Sequence, residues 1–156
     1  MQKIKVRKGQ ILQRKGDLNS KVYQVESGLL RSYSIDEKGK EHIFMFAPEN
    51  WTIADGQPVE IPCDLYIDAL EDSTLIVLNK DIQRESQNIG AFIKRLAVLQ
   101  NRVIMLMSFS AIKRFEYFEE TYPKILQRVP QKMIASYLGI TPEALSKIKS
   151  ERMKKR

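Results

Sequence analysis

The stretch Gln131-Lys132-Met133-Ile134-Ala135-Ser136-Tyr137-Leu138-Gly139-Ile140-Thr141-Pro142-Glu143-Ala144-Leu145-Ser146-Lys147-Ile148-Lys149-Ser150 carries two helical patterns separated by a glycine. Ile134, Leu138, Ile140, Leu145 and Ile148 fall where two short helices joined by a sharp turn pack on each other. Ala135 is small where the second helix crosses close above the first, and Gly139 can take the left-handed conformation of the turn. Pro130 suits the first turn of the first helix. Thr141 reads as the N-cap of the second helix and Pro142 as its first residue. The pattern predicts a helix-turn-helix. The plain alternative is an αα-hairpin with no role on nucleic acid.

Charge weighs against that alternative. The formal net charge is +7. Lys124, Arg128, Lys132, Lys147, Lys149, Arg152, Lys154, Lys155 and Arg156 stand against Glu143 and Glu151, so the segment from Pro123 onward carries the whole excess. A basic segment joined to a neutral body implies a polyanion-binding module attached to something else. A frayed basic tail would explain Arg152–Arg156 but not the charges upstream of it.

Outward from this segment the periodicity stays helical. Ile89, Ile93, Leu96, Val103 and Met107 recur at three-, four- and seven-residue steps, with Gln100 in the remaining seam position. Leu99, Ile104, Leu106 and Phe109 add a second apolar flank, so one side alone cannot be the buried one. Such a helix can pack on its own domain and on a partner helix, which makes Ile93, Leu96, Val103 and Met107 the candidate dimer interface. The competing reading is a core helix of a monomer. A second helical stretch, Ile112–Tyr122, ends at Pro123.

Residues 1–80 read differently. Ile4–Val6, Val22–Val25, Leu29–Ile35, His42–Phe46, Leu65–Ala69 and Thr74–Leu78 are short strand candidates, punctuated by Gly9, Gly16-Asp17, Gly28, Lys38-Gly39-Lys40 and Glu71-Asp72. Asp36-Glu37-Lys38-Gly39 has the form of a hairpin turn, with Gly39 supplying the positive φ. The expected class is α+β: an N-terminal β-roll over 1–88, connecting and dimerisation helices over 89–122, and a helix-turn-helix over 123–156.

Composition narrows the function. The 156 residues are 43% hydrophobic and 29% charged, compatible with a packed core. No run approaches the ~18 apolar residues of a membrane span, and the N-terminus has no apolar signal region. One cysteine, Cys63, excludes an intrachain disulfide framework, and one histidine, His42, makes most transition-metal sites hard to assemble. We therefore expect a cytoplasmic protein, not an enzyme, with no metal centre and no cofactor.

These features together resemble the Crp/Fnr family of bacterial transcription regulators. Lys8-Gly9, Gly16-Asp17, Tyr23 and Gly28 echo the glycine pattern of that family's cyclic-nucleotide-binding-like double-stranded jelly roll, and Arg128–Ser146 is similar to the branch found in Bacteroidetes-type bacteria. The resemblance spans essentially the whole chain. It implies a homodimer with paired long helices, a recognition helix in the major groove of double-stranded DNA, a small-molecule effector, and RNA polymerase as a further candidate partner.

Two departures qualify what carries over. Family members that bind cyclic nucleotide have a glycine-glutamate pair, then an arginine followed by a small hydroxylated residue. The corresponding stretches here are Phe46-Ala47-Pro48-Glu49-Asn50-Trp51 and Pro62-Cys63-Asp64-Leu65-Tyr66. Glu49 is the match for the glutamate, but Cys63 and Asp64 replace the arginine and its neighbour. A cyclic phosphate needs a cation and N–H donors, and Asp64 would repel it, so cyclic AMP and cyclic GMP are rejected as effectors. The second departure is that the pattern starts at the first strand and stops directly after the recognition helix, with no wing.

Phe46, Glu49, Trp51, Cys63, Asp64 and Tyr66 are the candidate effector-pocket residues. With Tyr33 the aromatics could line a cavity, although aromatics in a small barrel more often fill its core. Cys63 reads more readily as a small buried hydrophobe than as a redox sensor, His42 as an ordinary strand residue, and Met105, Met107 and Phe109 as packing. Thr141, Pro142, Glu143, Ser146 and Lys147 occupy the positions that face base edges in a helix-turn-helix. The resemblance implies that Glu143 accepts from a cytosine amino group and that Lys147 meets guanine or a phosphate. The family's usual arginine beside that glutamate is Pro142 here, so no base preference transfers. Arg128, Lys132, Lys149 and Arg152 are the candidate phosphate contacts.

Two other readings compete. A cupin-type metalloenzyme shares the jelly-roll barrel, but a single histidine nearly excludes it. A β-roll module for ligand or protein binding that no longer binds DNA is the stronger alternative.

Overall fold

Short alternating segments separated by turn residues build the first part of the chain into eight strands. The computed structural model describes residues 1–81 and 89–154. The strands are β1 (Gln2–Val6), β2 (Ile11–Gln13), β3 (Lys21–Ser27), β4 (Leu30–Ile35), β5 (Glu41–Ala47), β6 (Thr52–Ala54), β7 (Tyr66–Ala69) and β8 (Ser73–Asn79). They form two four-stranded antiparallel sheets, ordered β1-β8-β3-β6 and β2-β7-β4-β5. Six strands match the expected segments with ends moved by one or two residues. β2 and β6 were not expected, because three residues are too few to display an alternation.

Val25, Leu30, Ala47, Ile53, Ile67, Ala69 and Leu75 fill the space between the sheets, with Trp51 and Met45 packed against them. Burying each of the larger aliphatic side chains contributes about 1.5–3 kcal/mol. The β4–β5 turn takes the expected hairpin form. Gly39 has φ +77°, and the Asp36 carboxylate accepts the backbone N–H groups of Lys38 at 2.9 Å and Lys40 at 3.0 Å. His42 adds its Nε2 to the other carboxylate oxygen at 2.8 Å, and together these contacts hold Asp36 below its usual range.

Compactness divides the chain into two units, Met1–Ile82 and Gln83–Arg156. Among the described residues the second unit has four helices: α1 (Ile89–Ser108), α2 (Ala111–Thr121), α3 (Gln131–Leu138) and α4 (Pro142–Lys154). The far end of the expected roll, residues 82–88, and the basic pair Lys155-Arg156 lie outside the described residues. Ser110 caps α2, its hydroxyl accepting from Lys113 N–H at 3.4 Å.

The core of this unit centres on Phe118, Tyr122 and Tyr137, whose ring centroids lie 5.3–5.4 Å apart. Ile134, Ala135, Leu138, Leu145 and Ile148 are buried as the sequence pattern requires, whereas Ile140 is only half-buried. Pro130 corrects the expectation for the start of α3. It is the N-cap, with ψ 145°, rather than a residue of the first turn, and its carbonyl accepts from Met133 N–H at 3.0 Å.

Candidate nucleic-acid interface and effector site

The turn between α3 and α4 is fixed by local chemistry. Gly139 sits at φ +63°, ψ 34°, in the left-handed region, and the Ile140 N–H returns to Ala135 O at 3.0 Å. Thr141 then caps α4, its hydroxyl accepting from Ala144 N–H at 3.1 Å, and Pro142 opens the helix where a missing N–H costs nothing. Leu145 and Ile148 turn inward, which leaves Thr141, Pro142, Glu143, Ser146 and Lys147 exposed together at the start of α4. Among these, Lys147 makes one loose ion pair with Glu151 at 4.0 Å.

Of the candidate phosphate contacts, Lys132 is exposed, and Arg128 and Lys149 are half-buried. Arg152 is engaged inside the unit instead. Its guanidinium pairs with Glu119 and lies 5.5 Å from the Phe115 ring centroid.

On α1 the four seam residues are all exposed: Ile93 by 59%, Leu96 by 57%, Val103 by 53% and Met107 by 80%. Phe92 and Val98, outside the seam, are equally open, and Met105 is buried. A 20-residue helix is about 30 Å long, so this apolar surface is extensive.

The structure does not gather the expected effector-pocket residues into one cavity. Trp51 packs on the core between the sheets. Tyr66 and Phe46 alternate with the core residues Ile67 and Ala47, so they lie on the opposite face of their sheet. There Tyr66 stacks on Tyr33 at 5.3 Å, and Arg31 lies 4.0 Å from the Tyr33 ring centroid. Arg31 is buried and forked onto Asp68 at 2.8 and 2.9 Å, with Glu41 at 2.6 Å. Burial beside Asp68 pushes the Tyr33 hydroxyl up to about 12. Glu49 accepts from Gly28 N–H at 3.2 Å.

The carboxylate that faces the Cys63–Leu65 segment is Asp55, which sequence reading missed. It is buried and accepts three backbone N–H groups, from Gln57 at 2.8 Å, Asp64 at 3.0 Å and Leu65 at 2.9 Å. Lys80 Nζ closes the same loop by donating to Ser20 Oγ at 2.6 Å, Asp55 O at 2.8 Å and Gln57 O at 2.6 Å. Asp64 itself is exposed and accepts from Gln57 Nε2 at 2.6 Å. Cys63 is buried, which raises its thiol above the ordinary range. The Asp55-Gly56 dipeptide signals a turn in the sequence, but nothing there shows what its carboxylate accepts.

Residues 3–85 match the family model described as the cyclic nucleotide-binding domain. The chain belongs to the cyclic nucleotide-binding domain family. No curated protein matches the sequence. Among solved structures, FixK2 from Bradyrhizobium japonicum superposes with a TM-score of 0.83 at 20% identity, covering 99% of this chain and 85% of that one. A CRP/FNR-family transcriptional regulator from Thermus thermophilus gives 0.74 at 16%, covering 99% and 87%. The c-di-GMP responsive global regulator CLP from Xanthomonas campestris gives 0.74 at 13%, covering 99% and 87%. At these identities the likeness is one of fold.

A cyclic phosphate at the Cys63–Leu65 segment would need a cation and free N–H donors. Cys63 and Asp64 offer it no cation, and the N–H donors of Asp64 and Leu65 are already taken by Asp55. Among the described residues no group of three or more His, Cys, Asp or Glu side chains could hold a metal, and no helix is long and apolar enough to cross a membrane.

Proposed function

We propose that the chain is a sequence-specific, DNA-binding transcription regulator of the Crp/Fnr type, not an enzyme, with an effector roll that does not respond to cyclic AMP. The observation that carries the reading is the start of α4. A left-handed glycine and a threonine cap set five small or polar side chains out into solvent, on the unit that holds all the excess positive charge. Thr141, Pro142, Glu143, Ser146 and Lys147 face base edges, while Arg128, Lys132 and Lys149 contact phosphates. The names of the structural neighbours as transcriptional regulators support the same class.

In this reading the two-fold dimer forms through Ile93, Leu96, Val103 and Met107. Residues 1–88 act as effector domain, 89–122 as dimerisation and connecting helices, and 123–156 as the helix-turn-helix. Electrophoretic mobility shifts of the full chain on genomic fragments test the reading. Retention of particular fragments over a competing random duplex is expected. Equal, weak binding to every fragment would instead favour a β-roll module that no longer reads DNA.

A further inference from the structure

Two arginines from other helices converge on the turn that presents α4. Arg114, on α2, donates from Nη1 to Leu138 O at 3.0 Å and Gly139 O at 3.4 Å. The same guanidinium donates from Nη2 to Leu106 O at 2.8 Å and from Nε to Phe109 O at 3.0 Å. It therefore ties the C-terminal end of α1 to the C-terminal end of α3. Arg102, on α1, donates from Nη2 to Tyr137 O at 3.0 Å, with its guanidinium 3.6 Å from the Tyr137 ring centroid.

The last carbonyls of a helix have no partner within it, and a cation there is favoured by the helix dipole. Tyr137, Leu138 and Gly139 are the final carbonyls of α3 and its cap, and both arginines address them. Arg114 spreads one guanidinium over four carbonyls, and Arg102 lays its plane on the Tyr137 ring while donating to the Tyr137 carbonyl, so lysine is not equivalent at either position.

We infer that Arg102 and Arg114 are positioning residues for base reading: they clamp the α3–α4 turn against α1 and so fix the angle at which Glu143 and its neighbours are presented. The inference rests on the reading of α4 as the helix that faces base edges. Neither arginine needs to touch DNA. Their effect is on discrimination between sequences rather than on general affinity, because phosphate contacts tolerate small reorientations that base-edge contacts do not.

The test uses the full chain with Arg102→Lys and Arg114→Lys, which preserve charge. Affinity for a duplex selected from a random pool is compared with that for a scrambled duplex, and amide hydrogen exchange is read at Ile140. Each variant is expected to lose about tenfold in affinity for the selected duplex, the scale of one charged hydrogen bond, while scrambled binding barely changes. Exchange at Ile140 is expected to quicken in both. Arg102→Lys, which disturbs the Tyr137 carbonyl and ring contacts but none of the four carbonyls held by Arg114, keeps the test valid if Arg114→Lys fails to fold. An unchanged affinity ratio with unchanged exchange overturns the clamp. Wild-type protein that prefers no duplex overturns the DNA reading instead, and exchange at Ile140 then decides the clamp by itself.

Discussion

The Asp55 carboxylate accepts the backbone N–H of Asp64 at 3.0 Å, and thereby fills, from within the chain, a position where an incoming phosphate would need a donor. With the neighbouring N–H of Leu65 on the same oxygen, the loop is satisfied without a ligand. Cyclic AMP at millimolar concentration is therefore expected to leave the melting temperature unchanged, since only a ligand bound to the folded state raises it by linkage. A clear upward shift would show that the loop opens to admit a phosphate.

Removing that carboxylate has a cost of its own. Asp55→Ala strands backbone donors in a part-buried loop, with an expected loss of about 2–3 kcal/mol in urea unfolding. A loss below about 0.5 kcal/mol, the level of an ordinary surface substitution, would mean that water replaces the carboxylate without penalty.

Gly139→Ala forces a side chain into the left-handed region, at an expected cost of about 1–2 kcal/mol. The new Cβ also meets Arg114 Nη1 at 3.3 Å and Leu106 Cδ2 at 3.4 Å, so the clamp must give. Thermal unfolding and affinity for the selected duplex are expected to fall together.

Strand and helix positions were legible where a pattern had room to repeat. β3 alternates over part of its length, β4, β5 and β8 run six or seven residues between turn residues, and α1 shows its seam over 20 residues. The α3–α4 turn was legible too, because Gly139, Thr141 and Pro142 each have a local reason to stand where they do. β2 and β6 were not, having three residues each. The placement of the candidate effector-pocket residues was not legible for a different reason. Adjacent residues in a strand face opposite sides, so Tyr66 lies on the outer face of its sheet while its neighbour Ile67 joins the core on which Trp51 packs. Asp55, Lys80, Arg102 and Arg114 reach partners as far as 10, 60, 35 and 25 positions away, and no local spacing encodes those.

The exposed seam of α1 predicts self-association. An apolar stripe of this length is more than a monomer normally leaves wet, and a two-fold axis buries it against its own copy. Sedimentation at micromolar concentration is expected to give a dimer, and the Val103→Glu, Met107→Glu double variant a monomer with weakened DNA binding. A wild-type monomer would remove α1 as an interface.

The direct test of the central claim is a binding titration of wild type, Glu143→Ala and Lys132→Ala on selected and scrambled duplexes across several salt concentrations. The selected site is expected to hold inverted half-sites about 34–36 Å apart, roughly ten base pairs. Glu143→Ala is expected to relax preference at one base pair per half-site by about 1–3 kcal/mol. Lys132→Ala is expected to weaken both duplexes alike and to reduce the salt slope by about one unit for each phosphate it no longer neutralises. If Glu143→Ala instead weakens selected and scrambled DNA equally, α4 does not read bases and the account fails.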